Sequence, residues 1–377
     1  MLIKGLKIYS NNNRNFYKAD IIVENGKIAD IGSFSEYAGQ VVDCEGLYAV
    51  PGLVDVHTHG IGGYDWGSAS SDEMHEMAKR YVSFGVTTVM PTLGTDTYEN
   101  MLLATDRVSN ISCGCTEACL CGMHWEGRYL NLKKKGAHMP ELIAPLNAEE
   151  LDSDVLKNCA HLHISAAYEL DSDGSFSKKA KEIGATMGLA HTMATYEESK
   201  LAESRGVTSY THLYNAMPPL HHRDGGCIAA AYEGDCIAEL ICDGIHVSPE
   251  MVRLAYRNLG ADRLALITDS LSVTGVPDGQ YMSLGMRVTV KDGACRLDDG
   301  TLAGSTMTLD KAVRNLMRFC NIPLTEAIIS ATETPARQVG IFGECGSIDI
   351  GKRADMLFIR SDNALDIDRV MVRGNFI

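Results

Sequence analysis

The sequence predicts an α/β protein, a (β/α)8 TIM-like barrel with a small β-sandwich formed by its N- and C-terminal segments. Three observations carry this. A unit of helix, glycine stop, β-branched strand and terminal polar residue recurs through the middle of the chain; both chain ends are β-rich; and the middle strands finish on histidines or carboxylates. Such alternation argues for a parallel sheet, and in closed barrels chemistry gathers at the C-terminal ends of the strands. Residues 1–52 and 345–377 are assigned to the sandwich and 53–344 to the barrel.

The N-terminal part reads as short strands, Leu2 to Tyr9, Ala19 to Glu24, Lys27 to Ile31 and Val41 to Asp43. Asn25-Gly26 tolerates the positive φ of a tight primed turn and makes the middle two a hairpin. Pro51-Gly52 is a further turn signal. After it comes the run Leu53-Val54-Asp55-Val56-His57-Thr58-His59, in which Leu53, Asp55, His57 and His59 share one strand face. The two imidazoles can grip one cation, and Asp55 below them is placed to orient a ring through its other nitrogen.

Ser70-Ser71-Asp72-Glu73 is a capping box opening a helix that runs to Phe84-Gly85, followed by the strand Val86 to Met90. A strand through Cys121 precedes His124-Trp125-Glu126-Gly127. A helix containing Lys178 to Ile183 stops at Gly184 and feeds a strand ending at His191. A helix from Glu197 to Ser204 stops at Gly206 and feeds Val207 to His212. A third, Pro249 to Leu259, stops at Gly260 and feeds Arg263 to Asp269. Met356 to Ile359 and Val370 to Val372 return to β character.

Composition narrows the function. With 34 Lys+Arg against 49 Asp+Glu the net charge is −15, which argues against a nucleic-acid partner and requires a local basic pocket for any anionic substrate. No apolar run is long enough to span a bilayer, the N-terminus lacks a signal peptide's apolar core, and a cytoplasmic protein is expected. The twelve cysteines then read as reduced thiols. Cys113, Cys115, Cys119 and Cys121 match neither zinc-ribbon nor ferredoxin spacing, and the last two read as small buried hydrophobes.

His57, His59, Glu126, His191 and His212, with Asp269, all fall at expected strand ends, and together they point to a metal site. Imidazole with carboxylate suits zinc, with iron or another divalent ion as alternatives. Glu126 can bridge two ions. Asp269, beside bound water, is the natural general base.

These runs resemble the amidohydrolase superfamily and, within it, the N-acetylglucosamine-6-phosphate deacetylases. The resemblance covers essentially the whole chain. Its most specific motifs are Lys133-Lys134-Lys135-Gly136-Ala137-His138, His212-Leu213-Tyr214-Asn215-Ala216-Met217 and Asp243-Gly244-Ile245-His246, with Leu302-Ala303-Gly304-Ser305 in support. It implies that Glu126, His191 and His212 hold one ion, and that His57 and His59 hold a second bridged through Glu126. Some members lack that histidine pair and use a single ion. His138 would polarise the acetamide carbonyl, and Asp269 would be the acid/base. The backbone of Asn215 and Ala216, with Arg223 and His246, would grip the phosphorylated sugar, partly across a homodimer interface.

Three readings stay open beside this one. The lysine triplet reads by itself as a solvated loop. His161-x-His163 copies the ligand spacing but matches no ligand position of the family. Arg223 reads as a phosphate donor, since an acidic protein handling an anion needs a fixed bidentate group. Arg128 stands where the family shows proline, and Ala190, Met193 and Ser270 are atypical, so the sugar epimer is open. N-acetylgalactosamine 6-phosphate or another N-acyl compound is the alternative substrate, and a scaffold without catalysis the alternative class.

Overall fold

The computed structural model describes residues 1–377, and the two chain ends meet in one eight-stranded sheet. Leu2–Ser10, Asn15–Glu24 and Lys27–Gly32 lie on one side of Tyr48–Pro51, and Met356–Ile359, Ile367–Val372 and Asn375–Phe376 on the other. The first half of Leu2–Ser10 pairs with Val41–Asp43 and its second half with Tyr48–Pro51, because a register break between Ile3 and Leu6 turns the strand. The sheet folds around a core of its own that includes Ile3, Leu6, Ile21, Phe358 and Met371. Bonds from Ile28 N–H to the Lys352 carbonyl and from Ala354 N–H to the Gly26 carbonyl draw its two ends together. Asn25 and Gly26 both take positive φ, 51° and 75°, as the hairpin requires.

The barrel strands follow in sequence order: Leu53–Thr58, Val86–Leu93, Met123–Glu126, Leu162–Ala166, Thr186–Leu189, Ser209–Tyr210, Ile237–Ile241 and Leu264–Ile267. The last closes on the first through bonds from Asp269 N–H to the His57 carbonyl (2.9 Å) and from His59 N–H to the Ser270 carbonyl (2.8 Å). Two expectations change here. The stretch through Cys121 is two pieces, Cys119–Leu120 and Met123–Glu126, both alongside Val86–Leu93. A Cβ at the intervening Gly122 would lie 2.0 Å from the His161 carbonyl oxygen, so only glycine passes there. The strand expected over residues 207–212 is only Ser209–Tyr210, since the chain turns into left-handed backbone at His212.

Ser70 and Glu73 form the reciprocal cap of the helix Ser71–Val82. Gly85, at φ 79°, ends the turn beyond it; a Cβ there would meet Ile367 Cδ1 at 2.8 Å, so this stop is also where the barrel floor rests on the terminal sheet. The helix from Pro249 breaks at Gly260, whose φ of 66° and ψ of −178° are not helical, and a further short helical stretch follows to Arg263.

The sequence reading did not foresee a second sheet. Gly279–Ser283, Met286–Lys291, Ala294–Arg296 and Leu302–Ser305 form an antiparallel insertion between the eighth barrel strand and the helix Leu309–Cys320. It stands over the C-terminal mouth of the barrel, joined to it by a bridge between Ser270 and Ser305. No helix is long and apolar enough to cross a membrane.

Candidate active site

The six residues expected at strand ends converge at this mouth. Glu126, the last residue of its strand, turns one carboxylate oxygen to His212 Nε2 (2.8 Å) and His191 Nε2 (3.2 Å). Its other oxygen faces His59 Nε2 (3.0 Å) and His57 Nε2 (3.4 Å). Asp269 Oδ1 lies 3.3 Å from His59 Nε2 and 3.6 Å from His57 Nε2. Two donor groups result, His57, His59, Glu126 and Asp269 in one, and Glu126, His191 and His212 in the other, each with its donor atoms within 4.8 Å of one another.

Ring orientation tests whether this set fits a cation. His191 Nδ1–H donates to the Lys134 carbonyl at 2.7 Å, so its Nε2 is the bare nitrogen and faces the centre. His57 Nδ1–H donates to Glu239 at 2.9 Å, and its buried Nε2 has no hydrogen-bond partner. Imidazole nitrogens crowded on a shared carboxylate, with His191 Nε2 and His212 Nε2 only 3.2 Å apart, suit a divalent ion.

The same crowding sets the charges. Burial pushes Glu126 and Asp269 up, but the neighbouring imidazoles, His57 foremost, hold both below the ordinary carboxylate range. Burial pushes His57 down, and Glu126, Asp269 and Glu239 more than offset it. His138 is pushed down to about 3 by burial and by His191, and is neutral near pH 7. Its Nδ1 faces the Thr95 hydroxyl at 2.7 Å and the Thr95 N–H at 3.4 Å, so the proton sits on Nε2, 3.8 Å from Glu126.

Asp55 does not orient a histidine ring. It accepts from Thr268 Oγ1 at 2.6 Å and lies within reach of two backbone N–H groups, while Glu239 takes the part expected of it. Sequence reasoning missed Glu239; its signal was a lone acid in the apolar run Ile237-Ala238-Glu239-Leu240-Ile241.

A cavity of about 350 Å³ opens from the centre, walled by the loop 133–139, by Asn215, Ala216 and His246, and by Leu284, Met286 and Val288 of the inserted sheet. Its lining includes Lys133 and Lys134, so the lysine loop is part of the site rather than a bystander in solvent. Gly136 brings this loop against His191, whose Cε1 would lie 3.0 Å from a Cβ there. His246 pairs with Asp243 (2.7 Å). Arg223 is exposed, contacts its neighbour His222 and does not line the cavity of its own chain. Arg128 is engaged elsewhere, in a two-pronged pair with Glu150. His163 lies buried within the barrel against Thr186, and His161 faces Glu344; neither joins the centre.

Residues 48–377 match the model of the amidohydrolase family. The chain belongs to the amidohydrolase family. An N-acetylglucosamine-6-phosphate deacetylase of Vibrio furnissii is 33% identical over 94% of this chain and 89% of its own. An N-acetylgalactosamine-6-phosphate deacetylase of Escherichia coli is 31% identical over 92% of this chain and 93% of its own. A mutant N-acetyl-D-glucosamine-6-phosphate deacetylase of Mycobacterium smegmatis, solved in complex with N-acetyl-D-glucosamine-6-phosphate, superimposes with a TM-score of 0.89 at 28% identity, covering 100% of this chain and 98% of that one.

Proposed function

We propose that this amidohydrolase removes the acetyl group of N-acetylglucosamine 6-phosphate, releasing acetate and glucosamine 6-phosphate. The observation that carries the reading is Glu126 set between two histidine pairs, with Asp269 beside it, at the floor of a cavity lined by Lys134, His138, Asn215, Ala216 and His246. Glu126, His191 and His212 would hold one divalent ion and His57 and His59 a second, zinc being the first choice for imidazole and carboxylate donors and Fe2+ an alternative. A divalent ion lowers the pKa of bound water from about 15.7 to near 7 and polarises the scissile carbonyl.

The protein's own groups do the rest. Asp269, held as a carboxylate by its imidazole neighbours, accepts the proton of the attacking water and returns it to the amine nitrogen as the C–N bond breaks. His138, neutral and carrying its proton on Nε2, donates to the carbonyl oxygen as negative charge develops there. The N–H groups of Asn215 and Ala216, with His246, would hold the phosphate, and Arg223 would reach it from the partner copy of a homodimer. An intact donor set speaks against a non-catalytic scaffold.

Acetate release measured over phosphorylated and free N-acetyl sugars tests this. The expected ranking places N-acetylglucosamine 6-phosphate first in kcat/KM. A higher value for the galactosamine epimer would reassign the substrate, and no release from any sugar by metal-loaded protein would leave the scaffold.

A further inference from the structure

We infer that Glu239 is a positioning residue of the centre, a carboxylate outside the donor set that presets the His57 imidazole and reaches into both donor groups. The inference rests on the metal-hydrolase reading above. Glu239 sits in the middle of an otherwise apolar barrel strand, fully buried, and a charge there persists only if every oxygen is answered. Three donors answer it. Gln338 Nε2 donates to Oε1 at 2.6 Å, while Oε2 takes His57 Nδ1–H at 2.9 Å and the N–H of His212 at 3.2 Å.

That geometry fixes a tautomer and a direction. With the proton on Nδ1 committed to Glu239, His57 presents a bare Nε2 to the space beside Glu126 and Asp269, where no hydrogen bond of the protein meets it. The same carboxylate oxygen holds the N–H of His212, a residue whose φ of 33° needs support, and the Glu239 carbonyl holds the next N–H, of Leu213, at 2.8 Å. Glu239 therefore reaches one ligand of each group without being a ligand itself. Its stronger hold is on a side chain in the His57 group and on backbone alone in the His212 group, so its loss should weaken ion binding beside His57 first.

The test is a titration of chelator-stripped full-length protein with Zn2+ against a chromophoric chelator, for wild type, Glu239→Gln, His57→Asn and the double variant. Wild type is expected to bind two ions. Glu239→Gln should keep the tighter ion and bind the other about 10–100-fold more weakly. In the double variant Glu239→Gln should add no further loss to His57→Asn, because the one acts through the other. Equal binding by Glu239→Gln and wild type, additive losses in the double variant, or a wild type that takes up only one ion would overturn the inference. A wild type that binds no ion would instead sink the metal-hydrolase reading. Should Glu239→Gln fail to fold, Gln338→Leu frees the far oxygen of Glu239 and should weaken the same ion by a smaller factor; unchanged affinity there would overturn the inference.

Discussion

His191, His212 and Asp269 hold φ values of 44°, 33° and 48°, in the left-handed region that non-glycine residues avoid. Each follows a barrel strand by two positions, so the strain turns the side chain from the barrel wall onto its mouth at a cost of order 1 kcal/mol or more apiece. In the proposed mechanism Asp269 performs the proton transfers, and Asp269→Asn keeps the shape but cannot accept a proton. We expect kcat to fall by about 10²–10⁴-fold with the metal content of purified protein unchanged; unaltered turnover would remove Asp269 from the mechanism. Thr95 acts one step back, through His138. Thr95→Val deletes the hydroxyl 2.7 Å from Nδ1, leaves the longer N–H contact, and should lower kcat by about 10–100-fold while metal content and KM hold. The convergence of the candidate donors was legible because histidines at strand ends stand out against apolar runs. Glu239 and Thr95 were not, since each acts through a contact 43 or more residues away that no local spacing records.

Among elements, the helix–glycine–strand units were readable because each boundary is written in local chemistry: a reciprocal Ser70–Glu73 cap at one end and a positive-φ glycine at the other. The inserted sheet was not. Its strands are short and half-exposed, Met282 among the most exposed apolar residues, so neither period nor apolar run marks them, although Asp292-Gly293 is a hairpin turn in plain sequence. The sandwich was legible as β-strands, but its single wrapped sheet depends on pairings between the two chain ends. Gly85 tests how barrel and sheet are joined. Alanine there meets both a left-handed backbone and Ile367 at 2.8 Å, so Gly85→Ala should cost about 1–3 kcal/mol. A melting temperature lowered by a few degrees with kcat intact is the expected result, and an unchanged melting temperature would mean that the joint yields freely.

At the scale of the molecule the question is how a protein of net charge −15 would retain the phosphorylated sugar proposed as its substrate. The cavity wall supplies Lys133, Lys134 and His246, but the fork-shaped donor suited to phosphate, Arg223, stands exposed outside its own cavity. Two copies solve the problem if each lends its Arg223 to the other. Loss of a charge-assisted contact of about 1.5–3 kcal/mol should raise KM for the phosphorylated substrate about 10–100-fold in Arg223→Ala, leaving an unphosphorylated analogue unaffected. Mixing separates a gift between subunits from a contact within one. Arg223→Ala subunits keep Asp269 but lack the donor, and Asp269→Asn subunits keep the donor but lack turnover. If the chain pairs as proposed, subunits refolded or co-expressed together would include dimers in which an intact Asp269 faces an intact Arg223 across the interface, so a fraction of sites with wild-type KM should appear that neither variant shows alone. If Arg223 serves only its own subunit, every active site in the mixture lacks it and the high KM remains.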